Sequence, residues 1–264
     1  MGVEDSEYKF GRVLEKEKMK LSVLILTKNE AGMIGECLDS LKALNADEII
    51  VIDDNSSDDT VSIARYKKAE VIVHRKKNFA EAREYATSIA KSKWLLYVDA
   101  DERVSPELAY EIKAAISGNS PEVGFGLRRV NHYLGVRWPK EEWLVRLIRQ
   151  DKLLGWRGEV HETAEVAGEI GKLHAPLYHY THRNLSDMVE NTLIWSEIEA
   201  RLRFTARHPP VSWWRIPRGM ATAFWDYYVI QGGWRVGTVG LIESIYQAFS
   251  MFITYARLWE LQQK

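Results

Sequence analysis

Cysteine is almost missing from this 264-residue chain, where Cys37 stands alone. One thiol closes no internal disulfide and builds no cysteine-based metal site, so the core must hold the fold, and a reducing, cytoplasmic compartment is expected. An excess of either charge is missing too. With 36 basic and 37 acidic residues the formal net charge is −1, which gives no support to a nucleic-acid partner. Residues 1–20 lack an apolar signal core and mix Lys9, Arg12, Lys16, Lys18 and Lys20 with acids; they read as a peripheral leader. Neither the Gly-x-Gly-x-x-Gly turn nor the Gly-Lys-Ser/Thr phosphate loop occurs, so a nucleotide would have to be held without a glycine cradle. A His-x-x-x-His pair with a flanking Glu is absent as well, which leaves hydrolytic zinc chemistry without support. There is no internal repeat.

What is present is 46% apolar residue, enough for a large core. Four apolar runs, at 21–26, 48–52, 70–73 and 94–98, alternate with segments of helical spacing such as Met33, Cys37, Leu41, Leu44 and Phe79, Ala82, Ala86, Ile89. Such β-α alternation predicts an α/β fold: a mostly parallel, Rossmann-like sheet with helices on both faces. A further helix is expected from Pro106, in its first turn, to Gly118, just past its end. Right-handed crossovers bring the carboxyl ends of all four strands to one edge, where ligands bind. The loops expected there are polar: TKNE (27–30), DDNSSDDT (53–60), HRKKNFAEARE (74–84) and DADE (99–102).

From 122 to 180 the pattern is mixed, with strand candidates at 124–130, 143–149 and 160–166, and a second, less regular sheet region is expected. Residues 184–207 read as a helix that RHPP (207–210) ends. The tail, 211–264, carries five of the ten tryptophans and reads as a helical, aromatic-rich extension.

Asp99 and Asp101 are the chemical focus. In an extended backbone their side chains leave about 6–7 Å apart, and they repel unless a proton or cation intervenes. A hard divalent ion, Mg²⁺ or Mn²⁺, takes carboxylate oxygens and bridges them to phosphates. A bare D-x-D is more often a cap or a solvent-facing pair, so its setting has to decide. Asp58 or Asp59 can simply cap the second helix, whereas Asp53 and Asp54 directly follow IIVI on the ligand edge.

The motifs SVLILTKNE, EIIVIDDNSSDDT, NFAEAREYA and WLLYVDADERVSP, in this order, resemble the nucleotide-sugar half of family-two glycosyltransferases of the GT-A fold, over residues 21–118. LIRQDKLLGWRGEVHE and PLYHYTHRNLSD extend the likeness to the branch of lipopolysaccharide inner-core glucosyltransferases and peptide S-glycosyltransferases. The resemblance implies a GT-A domain over 21–210, with an acceptor half at 119–183 and a helix at 184–210. It implies that Thr27, Asn29 and Glu30 line the nucleotide-sugar pocket, Asp54 faces the base, Arg83 approaches the base or diphosphate, and Asp99 and Asp101 serve ribose and metal. A downstream histidine supplies a further metal ligand in several such enzymes; His179 is the choice here, with His161 and His182 competing. Members of this class invert the anomeric centre by a single displacement assisted by a carboxylate base. No Glu-Asp pair follows the D-x-D, a departure from the family pattern, and GEVHE (158–162) offers Glu162 as the base, with Glu159 beside it.

The expected activity is metal-dependent transfer of a hexose, glucose, from a UDP-sugar to a glycolipid acceptor such as lipopolysaccharide core. Transfer to polyprenyl phosphate or to a peptide or protein are rival enzymatic readings, and a non-catalytic nucleotide-binding module at the membrane is the rival of another class. In the tail, residues 236–256 carry one formal charge, Glu243, and their apolarity is broken by Ser244, Gln247, Ser250 and Thr254. Of two arrangements, a helix pair docked on the domain and an interfacial helix whose tryptophans and arginines meet the headgroups of the inner face of the cytoplasmic membrane, the second is expected, because a lipid-anchored acceptor would need it.

Overall fold

The computed structural model describes residues 20–118, 121–158 and 162–264. The first half follows the alternation: β1 (Leu21–Thr27), α1 (Ile34–Ser40), β2 (Glu48–Asp53), α2 (Thr60–Tyr66), β3 (Glu70–Val73), α3 (Phe79–Ile89), β4 (Trp94–Asp99), β5 (Glu102–Val104) and α4 (Pro106–Ser117). All seven residues of β1 are buried, as a central strand covered on both faces requires. Leu21, Val23 and Ile25 pack with Ile34, Cys37, Ala64, Leu108 and Ile112, from α1, α2 and α4. Leu24 and Leu26 point the other way, onto Ala82 and Ala86 of α3. Period-two alternation along one strand thus feeds two cores.

Local chemistry sets the helix starts. The Ser105 side chain accepts from the Leu108 amide ahead of Pro106, and Gly118 follows the last turn, as expected. Asn78 caps α3 by accepting from the Glu81 amide at 2.9 Å. Asp58 accepts from the Thr60 amide and, with its other oxygen, from the Ala31 amide, so this acid ties the first two ligand-edge loops together.

Three strands beyond α4 depart from the expectation of a second sheet region: β6 (Gly124–Tyr133), β7 (Val136–Arg149) and β10 (Ile170–Thr181), with the earlier β5, extend the first sheet to eight strands, in the order β3-β2-β1-β4-β7-β6-β10-β5. Among the described residues only β8 (Leu153–Arg157) and β9 (Thr163–Val166) pair apart from it. The join is antiparallel, with Trp94 of β4 opposite Arg149 of β7. The strands at β3-β2-β1-β4 are parallel throughout. β10 escapes the sequence pattern because Pro176 and Gly171 dilute its alternation; its register against β6 shifts between Leu173 and Pro176, where proline cannot donate to the ladder.

Three helices close the chain: α5 (Leu185–Thr205), α6 (Arg215–Trp225) and α7 (Gly237–Gln262). They dock on the sheet. Trp138 of β7, almost fully buried, donates from its indole to Gln231 at 3.0 Å. His182, just after β10, meets the buried carboxylate of Glu243 at 2.9 Å. Gly240 is required where α7 passes residue 233, since a Cβ there would lie 1.8 Å from the Gly233 carbonyl oxygen.

The tail helices bury polar residues and expose large apolar ones. The buried stripe of α5 is Met188, Thr192, Ser196 and Ala200, while Leu193 and Ile194 are exposed. In α7, Glu243, Ser244 and Thr254 are buried, and Ile245, Phe249 and Phe252 face outward. The polar residues that interrupt the apolar sequence of this segment therefore lie on its inner face, beside Tyr246, Ala248 and Leu258.

Candidate active site

The carboxyl ends of β1, β2 and β4 meet at one edge, as parallel pairing demands. Asp99 closes β4 on the same side of the strand as Leu95 and Tyr97, facing α3. There Arg83, on α3 and almost fully buried, donates from Nη2 to Asp99 Oδ1 at 3.0 Å. Arg146 of β7 donates from Nη2 to the other oxygen at 2.9 Å. Burial by itself would raise the pKa of Asp99; Arg146 and then Arg83 overcome it and hold the carboxyl well below the usual range. Arg83 also donates from Nε to Glu162 at 2.6 Å and lies over the rings of Trp156 and Tyr97. Each guanidinium keeps one buried nitrogen, Nη1, without a partner among the described residues. Buried donors of that kind fit the oxygens of an anionic ligand.

Asp101 takes a different partner. Its Oδ2 lies 3.2 Å from His179 Nε2, and the other ring nitrogen, Nδ1, is 2.8 Å from the Asn131 side-chain oxygen. Burial tends to lower the pKa of His179, but the Asp101 charge outweighs it and raises it. Beneath the D-x-D, Glu102 is fully buried, accepts from the Asp99 amide at 2.9 Å, and has its pKa raised by burial and by Asp99. Its companion Arg129, 3.6 Å away, is shared with Glu142.

The sequence-named residues separate into three groups. Arg83, Asp99 and Glu162 form one ion-paired cluster, and Asp101 and His179 a second beside it. The third lies on the β1 and β2 loops. Asp54 pairs with Lys28 at 3.1 Å and accepts from the Lys76 amide; Asn29, in the left-handed region at φ 53°, accepts from the Ser57 amide; Glu30 pairs with Arg183. Thr27 is buried, with its Oγ1 unpartnered among the described residues. His182 is engaged with Glu243 and stands apart from the D-x-D. Glu159 and His161 lie outside the described residues.

Sequence reasoning missed Arg146, Asn131, Glu102 and Arg129. Arg146 had a signal: a charge inside the apolar stretch WLVRLI has to meet something buried. The others become visible only through pairing, since β10 carries His179 beside Asn131 of β6 and Glu102 of β5.

Arg83, Asp99, Arg146, Glu162 and His179 line one cleft of about 1310 Å³ that continues between α5, α6 and α7. Among the described residues no three His, Cys, Asp or Glu side chains come together as a metal set. Asp101 and His179 nevertheless fit two positions of one. Their 3.2 Å separation is close to the edge of an octahedron with ligands at about 2.1 Å, and Asn131 holds the far ring nitrogen as an outer-shell acceptor does.

A family model described as "Glycosyl transferase family 2" matches residues 22–167. An uncharacterized glycosyltransferase of Rickettsia prowazekii is 27% identical over 93% of this chain and 88% of its own length. A lipopolysaccharide core biosynthesis glycosyltransferase of Rhizobium meliloti is 24% identical over 92% and 93%. Among solved structures, a glucosyl-3-phosphoglycerate synthase from Mycobacterium tuberculosis, in complex with Mn²⁺, UDP and phosphoglyceric acid, covers 64% of this chain and 73% of its own, at 16% identity and a TM-score of 0.45.

Proposed function

This chain belongs to glycosyl transferase family 2, and from that premise we propose that it moves a hexose, glucose, from a UDP-sugar to a glycolipid acceptor such as lipopolysaccharide core, with inversion. The observation that carries the reading is the pair of buried guanidiniums, Arg83 and Arg146, flanking Asp99 with an Nη1 each left over. A nucleoside diphosphate has the oxygens to satisfy them, and fixed donors aimed at a leaving group stabilise the charge it gains. The name of the Rhizobium relative supports the acceptor class.

Asp101 and His179 are the residues that would hold Mg²⁺ or Mn²⁺, which when bound neutralises charge on the departing diphosphate. Glu162 is the base. Its Oε1 is fixed by Arg83, and its Oε2 makes no hydrogen bond among the described residues, so that oxygen is available to a proton. In the displacement the acceptor oxygen bonds to the anomeric carbon while the bond from that carbon to the diphosphate oxygen breaks. The electron pair leaves with UDP, and the acceptor proton passes to Glu162.

The outward apolar face of α7, within the helical stretch Gly233–Gln262 that is long and apolar enough to cross a membrane by length and composition, supports attachment to the inner face of the cytoplasmic membrane. Trp225, Ile230 and Trp234, exposed near it, suit the headgroup level.

The test is a thermal-shift screen of UDP-glucose and UDP, with and without Mn²⁺, followed by transfer of labelled glucose to core-truncated lipopolysaccharide. Stabilisation by UDP and label in the lipid fraction are expected. No response to any nucleotide sugar refutes the donor site, and binding without turnover across acceptors supports the non-catalytic module. Failure of the full chain to float with liposomes defeats the membrane attachment.

A further inference from the structure

Three helix faces wall the far arm of the cleft: Ser196 and Arg203 from α5, Arg215 and Arg218 from α6, and Ser250 and Thr254 from α7. These polar side chains line the cleft beside Trp195, Trp214, Met251 and Tyr255, while Leu193, Ile194, Ile245, Phe249 and Phe252 look outward from the same helix group. A helical unit in water places its apolar residues inside. Apart from the cluster of Ala200, Val211 and Leu258 with Ile216, Tyr255 and Leu261, the cleft side of these helices holds their polar groups, which suits a polar ligand beside an apolar surround.

Arg215 and Arg218 stand out in that arm. Their guanidiniums lie 5.1 and 5.7 Å from the ring centroid of one indole, Trp214. Neither makes an ion pair among the described residues, although their neighbour Arg203 is paired with Glu199 at 3.0 Å. They also occupy the first turn of α6, which has no acidic residue to meet the helix dipole. Arg215 is half-buried and Arg218 exposed, and two like charges gathered on one ring at the positive end of a helix favour an anion that joins them. An independent sign of a missing ligand lies in the same arm: Ser196, about 1% exposed, has an Oγ without a partner among the described residues.

We propose that this arm binds a phosphate carried by the membrane-embedded acceptor lipid, with Arg215 and Arg218 as the anion-binding pair. The inference rests on the glycolipid-acceptor reading and adds the group by which the acceptor is recognised. Paired guanidinium forks suit the several oxygens of a phosphomonoester, and the apolar outer faces of α5 and α7 commit its source to a lipid.

The test is co-sedimentation of the full chain with phosphatidylcholine vesicles containing either phosphatidic acid, a phosphomonoester, or phosphatidylglycerol, matched in surface potential. The wild type is expected to prefer the phosphatidic acid vesicles by about tenfold, the size of one charge-assisted hydrogen bond. Arg215→Gln with Arg218→Gln should bring the two vesicles level while UDP still raises the melting temperature. If that variant does not fold, Arg215→Lys with Arg218→Lys replaces it: the charge stays, the fork goes, and most of the preference must go with it. Equal binding of both vesicles by the wild type, or a preference that survives the substitutions, overturns the subsite. A wild type that responds to UDP yet shows no preference sinks this inference alone, whereas no response to UDP sinks the donor-site reading.

Discussion

Arg83 is the side chain on which the site depends most, and Arg83→Met tests that directly, because it keeps much of the side-chain bulk and removes the charge. The wild-type guanidinium is nearly inaccessible and bonds Asp99 at 3.0 Å and Glu162 at 2.6 Å. Removing one partner of a buried ion pair costs about 3–5 kcal/mol. Arg146 remains on Asp99, which puts the loss near the lower end, about 3 kcal/mol. For a chain of this size that is a fall in melting temperature of roughly 6–12 °C. The fall should also depend on pH. Asp99 has its pKa held below the ordinary value, so it contributes stability that is present above about pH 4 and lost as pH drops through its folded-state value. With Arg83 gone and Arg146, Arg129 and His179 left to oppose burial, Asp99 in the variant takes up its proton at a higher pH than in the wild type. The wild-type advantage is therefore full near pH 7 and narrows as pH falls through the variant's pKa and then its own. Calorimetry of both proteins at a series of pH values reads this out. A fall under ~2 °C, or a gap that stays constant with pH, refutes the argument that charge rather than packing is what Arg83 contributes.

Asp101→Asn should leave the melting temperature of the free protein within about 1 °C yet remove the extra stabilisation that Mn²⁺ gives in the presence of UDP; His179→Ala should remove it too, and a metal increment surviving both would place the ion elsewhere. Gly240→Ala should destabilise the packing of α7 by about 3 kcal/mol, because the new methyl has no space beside the Gly233 carbonyl; limited proteolysis of the tail would report it, and wild-type resistance would show the turn at 233 to be compliant. Ser105→Ala should cost about 1 kcal/mol through loss of the cap on α4, measured by urea denaturation with an unchanged slope. Chelation of divalent ions should abolish glucosyl transfer and Mn²⁺ should restore it, while transfer undiminished in excess chelator would count against a metal role.

The chain order of residues 21–118 already contained the parallel half of the sheet. Near-continuous apolar strands separated by helical spacing have one economical arrangement, and Pro106 and Gly118 marked a helix that runs from Pro106 to Ser117. The edge at which Asp54, Asp99 and Asp101 stand followed from that order through the handedness of crossovers alone. What a linear pattern cannot express is which distant strand lies alongside. His179 reaches Asp101 because β10 crosses back to pair with both β6 and β5, and Arg146 reaches Asp99 because β7 runs antiparallel beside β4. Those contacts span 78 and 47 residues, so they depend on strand pairing that no local periodicity encodes. The tail makes the same point in reverse. Its sequence carried the right residues, but their meaning depended on orientation: Glu243, Ser244 and Thr254 look like flaws in an apolar helix until the fold turns them inward and leaves Ile245, Phe249 and Phe252 outside. Composition and spacing dictated the elements of residues 21–118 and the edge at which their strands end, because those are properties of neighbouring residues. The choice of partners for each buried charge was made by tertiary packing, because a charge in a low-dielectric interior takes whichever counter-charge the folded chain brings to it.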